Sequence, residues 1–167
     1  MTYHFNDPLN IIKVQFRANI RAGQTICPVC DRTAAIRNIL FTKTLLGNLV
    51  FLSRFDGFIH LPSYGNRALL TSNSTGKLKY WGLAEPEPNK TDPKKFRSGS
   101  WRITDIGQKF LHGMYRIPER LFIYNDTVLS MEPAAPTISI HSEMLKGFDF
   151  QEAMKSADSL IKGYGGK

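Results

Sequence analysis

The chain has 167 residues, 42% hydrophobic and 22% charged, a composition that excludes wholesale disorder and repetitive fibrous structure. Its two cysteines, Cys27 and Cys30, are too few for a disulfide scaffold, and no apolar run approaches the roughly 20 residues that a membrane span needs. The net charge of +8 is made up of +4 over residues 1–65, +5 over residues 66–112 and −1 over residues 113–167.

The first 41 residues are predicted to form a separate N-terminal segment. A short strand is expected over residues 11–16, where apolar side chains cluster. The sequence Cys27-Pro28-Val29-Cys30 then forms a compact turn, because proline fixes the backbone between the two cysteines. A second strand, rich in isoleucine and leucine, is expected over residues 34–41.

The next part of the chain begins with a predicted helix over residues 43–54. Thr42 is expected to cap it, because a threonine hydroxyl can accept from the unpaired amides of the first turn. A short strand over residues 58–61 and a short helix over residues 66–70 follow. The first helix is indicated by apolar residues that recur at helical spacing, namely Leu45, Leu46, Leu49, Val50 and Leu52.

A second helix is predicted over residues 75–81, and Gly82 is well suited to end it because glycine adopts the left-handed conformation without strain. The three prolines of residues 85–93 predict a loop without regular structure. A strand is expected to return over residues 98–103, with Trp101 and Ile103 on one face and Arg102 on the other.

The remaining residues predict shorter elements. Thr104 is expected to cap a helix over residues 106–112. Residues 121–129 form a hairpin candidate around Asn125-Asp126, followed by a strand over residues 137–141 and a last helix over residues 148–160.

The order of these elements between Thr42 and Gly113 is that of a winged helix-turn-helix. Trp101-Arg102-Ile103-Thr104-Asp105-Ile106-Gly107 resembles the end of the wing in MarR-like domains, where a strand runs into a Leu/Ile-Thr-x-x-Gly turn. Leu78, Gly82 and Leu83 likewise match the Leu-x-x-x-Gly-Leu pattern with which a recognition helix enters its wing. The resemblance implies an α+β fold: an N-terminal Cys knuckle segment (1–41), a winged helix-turn-helix core (42–113) and a C-terminal hairpin and helix extension (114–167).

Over the whole chain, the Cys-Pro-Val-Cys turn followed by these two motifs is similar to a group of small proteins of bacteriophages and mobile elements. That resemblance implies a viral or plasmid setting in a bacterial cytoplasm, and it assigns no activity. The first ten residues lack the basic start and apolar stretch of a signal peptide, so the expected protein is soluble, with no membrane partner.

The basic charge and this fold together predict binding to double-stranded DNA by a phage-type regulator. A helix fits the major groove, and a basic wing beside it contacts phosphates or the adjacent minor groove. The expected helix contacts are Asn73, Ser74, Thr75, Lys77 and Lys79, and the expected wing contacts are Lys90, Lys94, Lys95, Arg97 and Arg102.

An alternative interpretation is a protein-interaction or inhibitor module that docks a host defence or transcription protein. It predicts an exposed apolar patch that contains Tyr64, Tyr80 or Phe96. The lysines at 77 and 79 would then be a solvated helix face. In either case the last helix is a candidate arm for a homodimer.

The cysteine pair allows three interpretations. Two thiolates at Cys-x-x-Cys spacing form half of a tetrahedral zinc site, a Cys-Pro-x-Cys sequence also occurs at redox sites, and the pair can simply stabilise a turn. Zinc is therefore the expected cofactor, with Cys27 and Cys30 as two of its ligands. No catalytic set is recognisable: the four histidines are isolated, and Thr75-Gly76-Lys77 lacks the upstream glycine of a P-loop, so no enzyme activity is predicted.

Overall fold

Two compact units make up the fold, and each combines segments that are distant in the sequence. The computed structural model describes residues 9–27, 31–64, 72–88, 97–129 and 135–164. The first unit comprises Met1–Ile39 and Arg120–Ala134, and the second unit comprises Leu40–Glu119 and Ala135–Lys167. The structure therefore divides the chain differently from the predicted segments, because the predicted C-terminal extension contributes to both units.

The described residues form a mixed α+β architecture with several small antiparallel sheets. The helices are α1 (Leu9–Ala22), α2 (Lys43–Leu52), α3 (Ser72–Thr75), α4 (Asp105–Leu111) and α5 (Phe150–Tyr164). The strands are β1 (Thr25–Ile26), β2 (Thr33–Ala34), β3 (Arg37–Leu40), β4 (Ile59–His60), β5 (Ala84–Pro88), β6 (Arg97–Ile103), β7 (Ile117–Pro118), β8 (Arg120–Tyr124), β9 (Thr127–Leu129) and β10 (Thr137–Ile138). None of the described helices is long and apolar enough to cross a membrane.

The first unit begins with α1, where the predicted short strand over residues 11–16 is wrong. Ile12, Phe16 and Ile20 are four residues apart, so they lie on one face of a helix and turn towards the rest of the unit. Ile20 is buried, whereas the other two are half-buried. The 3.6-residue period becomes visible only over the full 14 residues, which a six-residue window does not contain.

The predicted hairpin is confirmed and is the second part of the first unit. β8 and β9 pair antiparallel around Asn125 and Asp126, both of which have positive φ values of 48° and 63°. Two successive left-handed residues are typical of a type I′ turn, whose twist matches that of the strands. The hairpin joins β3 in a three-stranded sheet of order β3-β8-β9.

The core of the second unit is built around α2, which is buried over most of its length. Thr42 caps the helix as predicted: its hydroxyl accepts from the Leu45 amide. The predicted last helix exists as α5 and packs against α2, with Ala157 and Leu160 buried and an ion pair of 2.9 Å between Arg54 and Asp158. The apolar face of the candidate dimer arm is therefore buried within the chain at Ala157 and Leu160, whereas Phe150 at the start of the helix is exposed.

A three-stranded antiparallel sheet of order β4-β6-β5 forms the other half of the second unit. The strand predicted over residues 98–103 is confirmed as β6, with Trp101 buried and Arg102 exposed. The prediction of an irregular loop from residue 85 onwards is wrong for its first four residues, because Pro86 and Pro88 lie in β5. β5 is an edge strand with a bulge between these prolines, and an edge tolerates proline because one side needs no amide donors.

The helix predicted over residues 75–81 is replaced by two single turns. α3 ends at Thr75, and a 3₁₀ turn covers Leu78–Trp81 before Gly82 adopts a left-handed φ of 70°. Leu78 and Trp81 are both buried, and residues three apart lie on the same side of a 3₁₀ helix, so burial of this pair favours the tighter turn. The helix predicted over residues 66–70 lies outside the described residues.

Thr104 joins the start of β5, the end of β6 and the start of α4. Its amide donates to the Leu83 carbonyl, and its hydroxyl donates to the Gly82 carbonyl while accepting from the Gly107 amide. A Cβ atom at Gly107 would lie 2.3 Å from the Leu83 carbonyl oxygen and 2.7 Å from Ile103 Cγ1. The Ile-Thr-x-x-Gly turn therefore allows close packing. Its threonine caps α4, and its glycine lets α4 approach the chain segment that follows Gly82.

We predict that Gly107→Ala lowers the free energy of unfolding by about 1–3 kcal/mol, because the methyl group meets a backbone oxygen that cannot move aside. Gly163→Ala is the matched control: no atom lies within 4 Å of its Cβ position in α5, and alanine favours a helix by up to about 1 kcal/mol. Urea unfolding of both variants checks this. Equal stability of the two variants would contradict the close approach at Gly107.

Candidate nucleic-acid interface

The 72–81 segment, which comprises α3 and the 3₁₀ turn, was predicted to carry five DNA contacts. The prediction that Thr75 contacts DNA is wrong. Its side chain is fully buried and its hydroxyl has no hydrogen-bond partner among the described residues, so it cannot reach a base. Ser74 is half-buried, and the side chain of Asn73 lies outside the described part of the structure. α3, which ends at Thr75, packs against α2.

Lys77 and Lys79 are the basic residues of this segment. Lys77 is exposed, whereas Lys79 is half-buried and its Nζ lies 4.7 Å from the centre of the Tyr80 ring, a cation–π distance. The two lysines lie on successive short turns that end at Gly82. The segment can therefore present two positive charges to a partner, but it does not form the long rod that fills a major groove.

The hairpin of β5 and β6 carries the wing residues. Arg102 on β6 is directly opposite Glu85 on β5, and its Nε donates to the Glu85 carboxylate. Its guanidinium carbon also lies 4.7 Å from the centre of the Phe58 ring. An exposed pair of this kind contributes little to stability, but the carboxylate compensates the charge of Arg102 and competes with any phosphate.

The remaining predicted wing residues follow β5 in the sequence. β5 ends at Pro88, which pairs with Arg97 at the start of β6, so residues 89–96 connect the two strands. Lys90, Lys94 and Lys95 belong to this connection and lie outside the described residues, as does the Arg97 side chain. The sequence of the connection has three lysines against Asp92 alone, so the positive charge of the wing is concentrated there.

The opposite end of the same hairpin has the reverse charge. A cleft of about 570 Å³ lies between the Asp56-Gly57 turn, the end of β6 and the start of α4. Its lining includes the carboxylates of Asp56, Glu85 and Asp105, and Arg102 is their cationic neighbour. Excess negative charge weakens the attraction of this cleft for phosphate as long as Glu85 compensates Arg102. Sequence reasoning missed the role of Glu85, which only the cross-strand register reveals.

The predicted Cys knuckle lies in the first unit. β1 and β2 pair antiparallel, the Cys27 amide donates to the Arg32 carbonyl at 2.9 Å, and the Asp31 amide donates to the Cys27 carbonyl at 3.0 Å. Asp31 has a left-handed φ of 55°, which closes this turn tightly. Cys27 is half-buried, and Cys30 lies outside the described residues. In the sequence, both cysteines fall between β1 and β2, at the spacing that supplies two of the four ligands of a zinc site.

The side chains that would complete the expected zinc site are not apparent among the described residues. Among the residues that the structure describes, no group of three or more histidine, cysteine, aspartate or glutamate side chains is placed to hold a metal ion. Two of the histidines have local partners: His60 Nδ1 is hydrogen-bonded to Ser63 Oγ, and His112 Nδ1 donates to the Gln108 carbonyl. His4 lies outside the described residues.

Comparison of the chain with protein-family models, with curated proteins and with solved structures finds no match.

We predict that the purified protein carries zinc and that Cys27→Ser abolishes this binding, because a serine hydroxyl is a poor substitute for a thiolate ligand. Elemental analysis of both proteins, prepared in parallel without chelator, measures the metal per chain. Ser53→Ala is a control outside the knuckle, since its hydroxyl bonds to the Val50 carbonyl in α2. Zinc absent from the wild-type protein and from both variants would reject the metal site.

Proposed function

We propose that the second unit is a winged helix and that the chain binds double-stranded DNA as a regulator. The observation that carries the proposal is the sheet order β4-β6-β5, in which the returning strand lies between the first strand and the edge strand. Together with α2 before β4 and the 72–81 segment before β5, this is the arrangement expected of a winged helix. The hairpin connection of such a fold is the wing.

The distribution of charge supports DNA as the partner. Residues 66–112 carry a net charge of +5, and three of their lysines lie in the connection between β5 and β6. Cations at the end of a hairpin can approach phosphates without desolvating the rest of the sheet. Phosphate contacts of this kind supply affinity and set the orientation of the protein on the duplex.

The proposed base contacts are fewer than the sequence suggested. With Thr75 buried, Lys77 and Lys79 are the described basic side chains of the 72–81 segment that remain available to a groove. Two lysines read few base edges, because sequence discrimination depends on bidentate or apolar contacts to bases. We therefore expect binding in which backbone contacts and DNA shape outweigh direct readout.

The alternative of a protein-docking module is less well supported. It predicts an apolar patch that includes Tyr64 or Tyr80, but the Tyr64 ring packs edge-on against Phe51 at 5.5 Å and Phe55 at 5.6 Å. Tyr80 is half-buried beside Lys79, and Phe96 lies outside the described residues. Tyr64 is thus part of the packing of the second unit.

We predict that Lys94→Glu combined with Lys95→Glu weakens binding to a random-sequence duplex about tenfold or more. Loss of two phosphate contacts should reduce the slope of log K against log salt by about 1.8. Fluorescence anisotropy between about 50 and 200 mM salt measures both quantities. Lys155→Glu with Lys162→Glu, two exposed lysines of α5, is the control with the same change of charge.

An affinity and a salt slope equal to those of the α5 control would show that the two wing lysines are bystanders. Circular dichroism of each variant verifies that the fold is retained.

We also predict that Glu85→Gln strengthens duplex binding and increases the salt slope by about 0.9, because Arg102 then loses its Glu85 carboxylate partner and can contact one more phosphate. Glu152→Gln, an exposed residue of α5, is the control for the general effect of removing one negative charge. The same anisotropy titration applies. Indistinguishable results for the two variants would place Arg102 outside the interface.

A further inference from the structure

The exposed side of α1 carries a row of three basic residues that the sequence analysis did not assign to any role. Lys13, Arg17 and Arg21 are four residues apart, so they lie above one another on one face of the helix, and all three are exposed. We call this row the α1 ridge. The sequence of α1, LNIIKVQFRANIRA, contains no acidic residue.

The α1 ridge is not explained by the stability of the helix. Like charges four residues apart destabilise a helix, and among the described residues no carboxylate is paired with Lys13, Arg17 or Arg21. The adjacent face of α1, with Ile12, Phe16 and Ile20, already supplies the packing of the helix. The three cations are therefore exposed and have no carboxylate partner among the residues that the structure describes.

A groove of about 390 Å³ runs between α1 and the β8–β9 hairpin of the same unit. Arg17 and Arg21 form one side of this groove, and the hairpin side is formed by Tyr124, Asn125 and Thr127. Its apolar lining comes from Ile20, Ile36 and Leu129. The groove thus combines two guanidinium groups with an amide, a hydroxyl and a phenol, all of which can bond to phosphate or sugar oxygens.

We propose that the α1 ridge and this groove bind the phosphate backbone of duplex DNA. The inference rests on the proposed function for the choice of DNA, and it adds a second contact surface, in the first unit, to the wing of the second unit. Arginine favours phosphate because its planar group donates two parallel hydrogen bonds.

The spacing of the α1 ridge fits this partner. Residues four apart in an α-helix are separated by about 6 Å along its axis, so the three cations extend over about 12 Å. One strand of a duplex presents a phosphate about every 3.4 Å along its axis, so a ridge of this length faces three or four of them. Flexible lysine and arginine side chains absorb the remaining mismatch.

A membrane surface fits the same helix less well. A helix that lies on a membrane inserts a broad apolar face, but the large apolar residues Ile12, Phe16 and Ile20 turn towards the interior of the unit. Ile11 and Val14 are exposed, which is a narrow apolar strip beside the cations.

The test is the triple variant Lys13→Gln, Arg17→Gln and Arg21→Gln in the full chain, titrated by fluorescence anisotropy against a random-sequence duplex. Loss of three phosphate contacts should reduce the salt slope by about 2.7 and weaken binding at least tenfold. The control, Lys109→Gln with Lys155→Gln and Lys162→Gln, removes three exposed charges from α4 and α5. The single variants Arg17→Gln and Arg21→Gln should each reduce the slope by about 0.9, which keeps the test valid if the triple variant unfolds.

The wing variant Lys94→Glu/Lys95→Glu, measured in parallel, separates this inference from the proposed function. If the wing variant weakens binding and the α1 variants match their control, the proposal that the α1 ridge binds DNA is overturned and the proposal that the wing binds DNA is supported. If the α1 variants weaken binding and the wing variant does not, the proposal for the α1 ridge is supported and the proposal for the wing is overturned. A wild-type protein that binds no duplex overturns both.

Two further outcomes would overturn the α1 ridge as a duplex site. One is a loss of affinity confined to a single-stranded oligonucleotide of the same sequence. The other is a loss confined to vesicles that contain anionic phospholipid, measured by co-sedimentation, with duplex binding unchanged.

Discussion

The hydrogen bonds of Thr104 are the constraint on which the second unit depends. One residue donates to the carbonyls of Gly82 and Leu83 and caps α4, so the ends of both hairpin strands and the start of the helix are held at one point. Gly107 makes this possible, because any larger residue would collide with Leu83. The orientation of the β5–β6 hairpin relative to α4 follows from this contact.

The basic residues of the molecule differ in whether an acidic side chain lies close enough to compensate their charge. Arg102 is neutralised by Glu85 across the strands, and the end of the hairpin near α4 is acidic. The α1 ridge, in contrast, has no acidic neighbour on its own helix, and the connection between β5 and β6 has three lysines against one aspartate. Uncompensated cations are the ones that release counterions on binding a polyanion. The proposed uncompensated phosphate contacts are for this reason assigned to the α1 ridge and to the connection between β5 and β6.

Burial limits how many side chains of the 72–81 segment can contact a partner. Leu78, Trp81 and Thr75 turn inward, and the Trp81 indole donates to the Pro118 carbonyl at 2.7 Å while its ring packs against Phe41. These buried side chains cannot contact a groove without breaking the packing of the second unit. In the proposed complex with DNA, this packing and the paired Arg102 favour recognition of the DNA backbone and its shape over direct reading of bases.

The sequence alone determined the features that depend on neighbouring residues: the caps at Thr42 and Thr104, the stop at Gly82, the hairpin at Asn125-Asp126 and the strand around Trp101. These signals are local, since a cap or a turn bonds within three or four residues. Only the tertiary structure decided that Thr75 is buried, that Pro86 and Pro88 occupy an edge strand, that Arg102 is paired with Glu85 and that residues 120–129 join the N-terminal unit. Each of these results depends on contacts between residues that are distant in sequence, and no local pattern records such contacts.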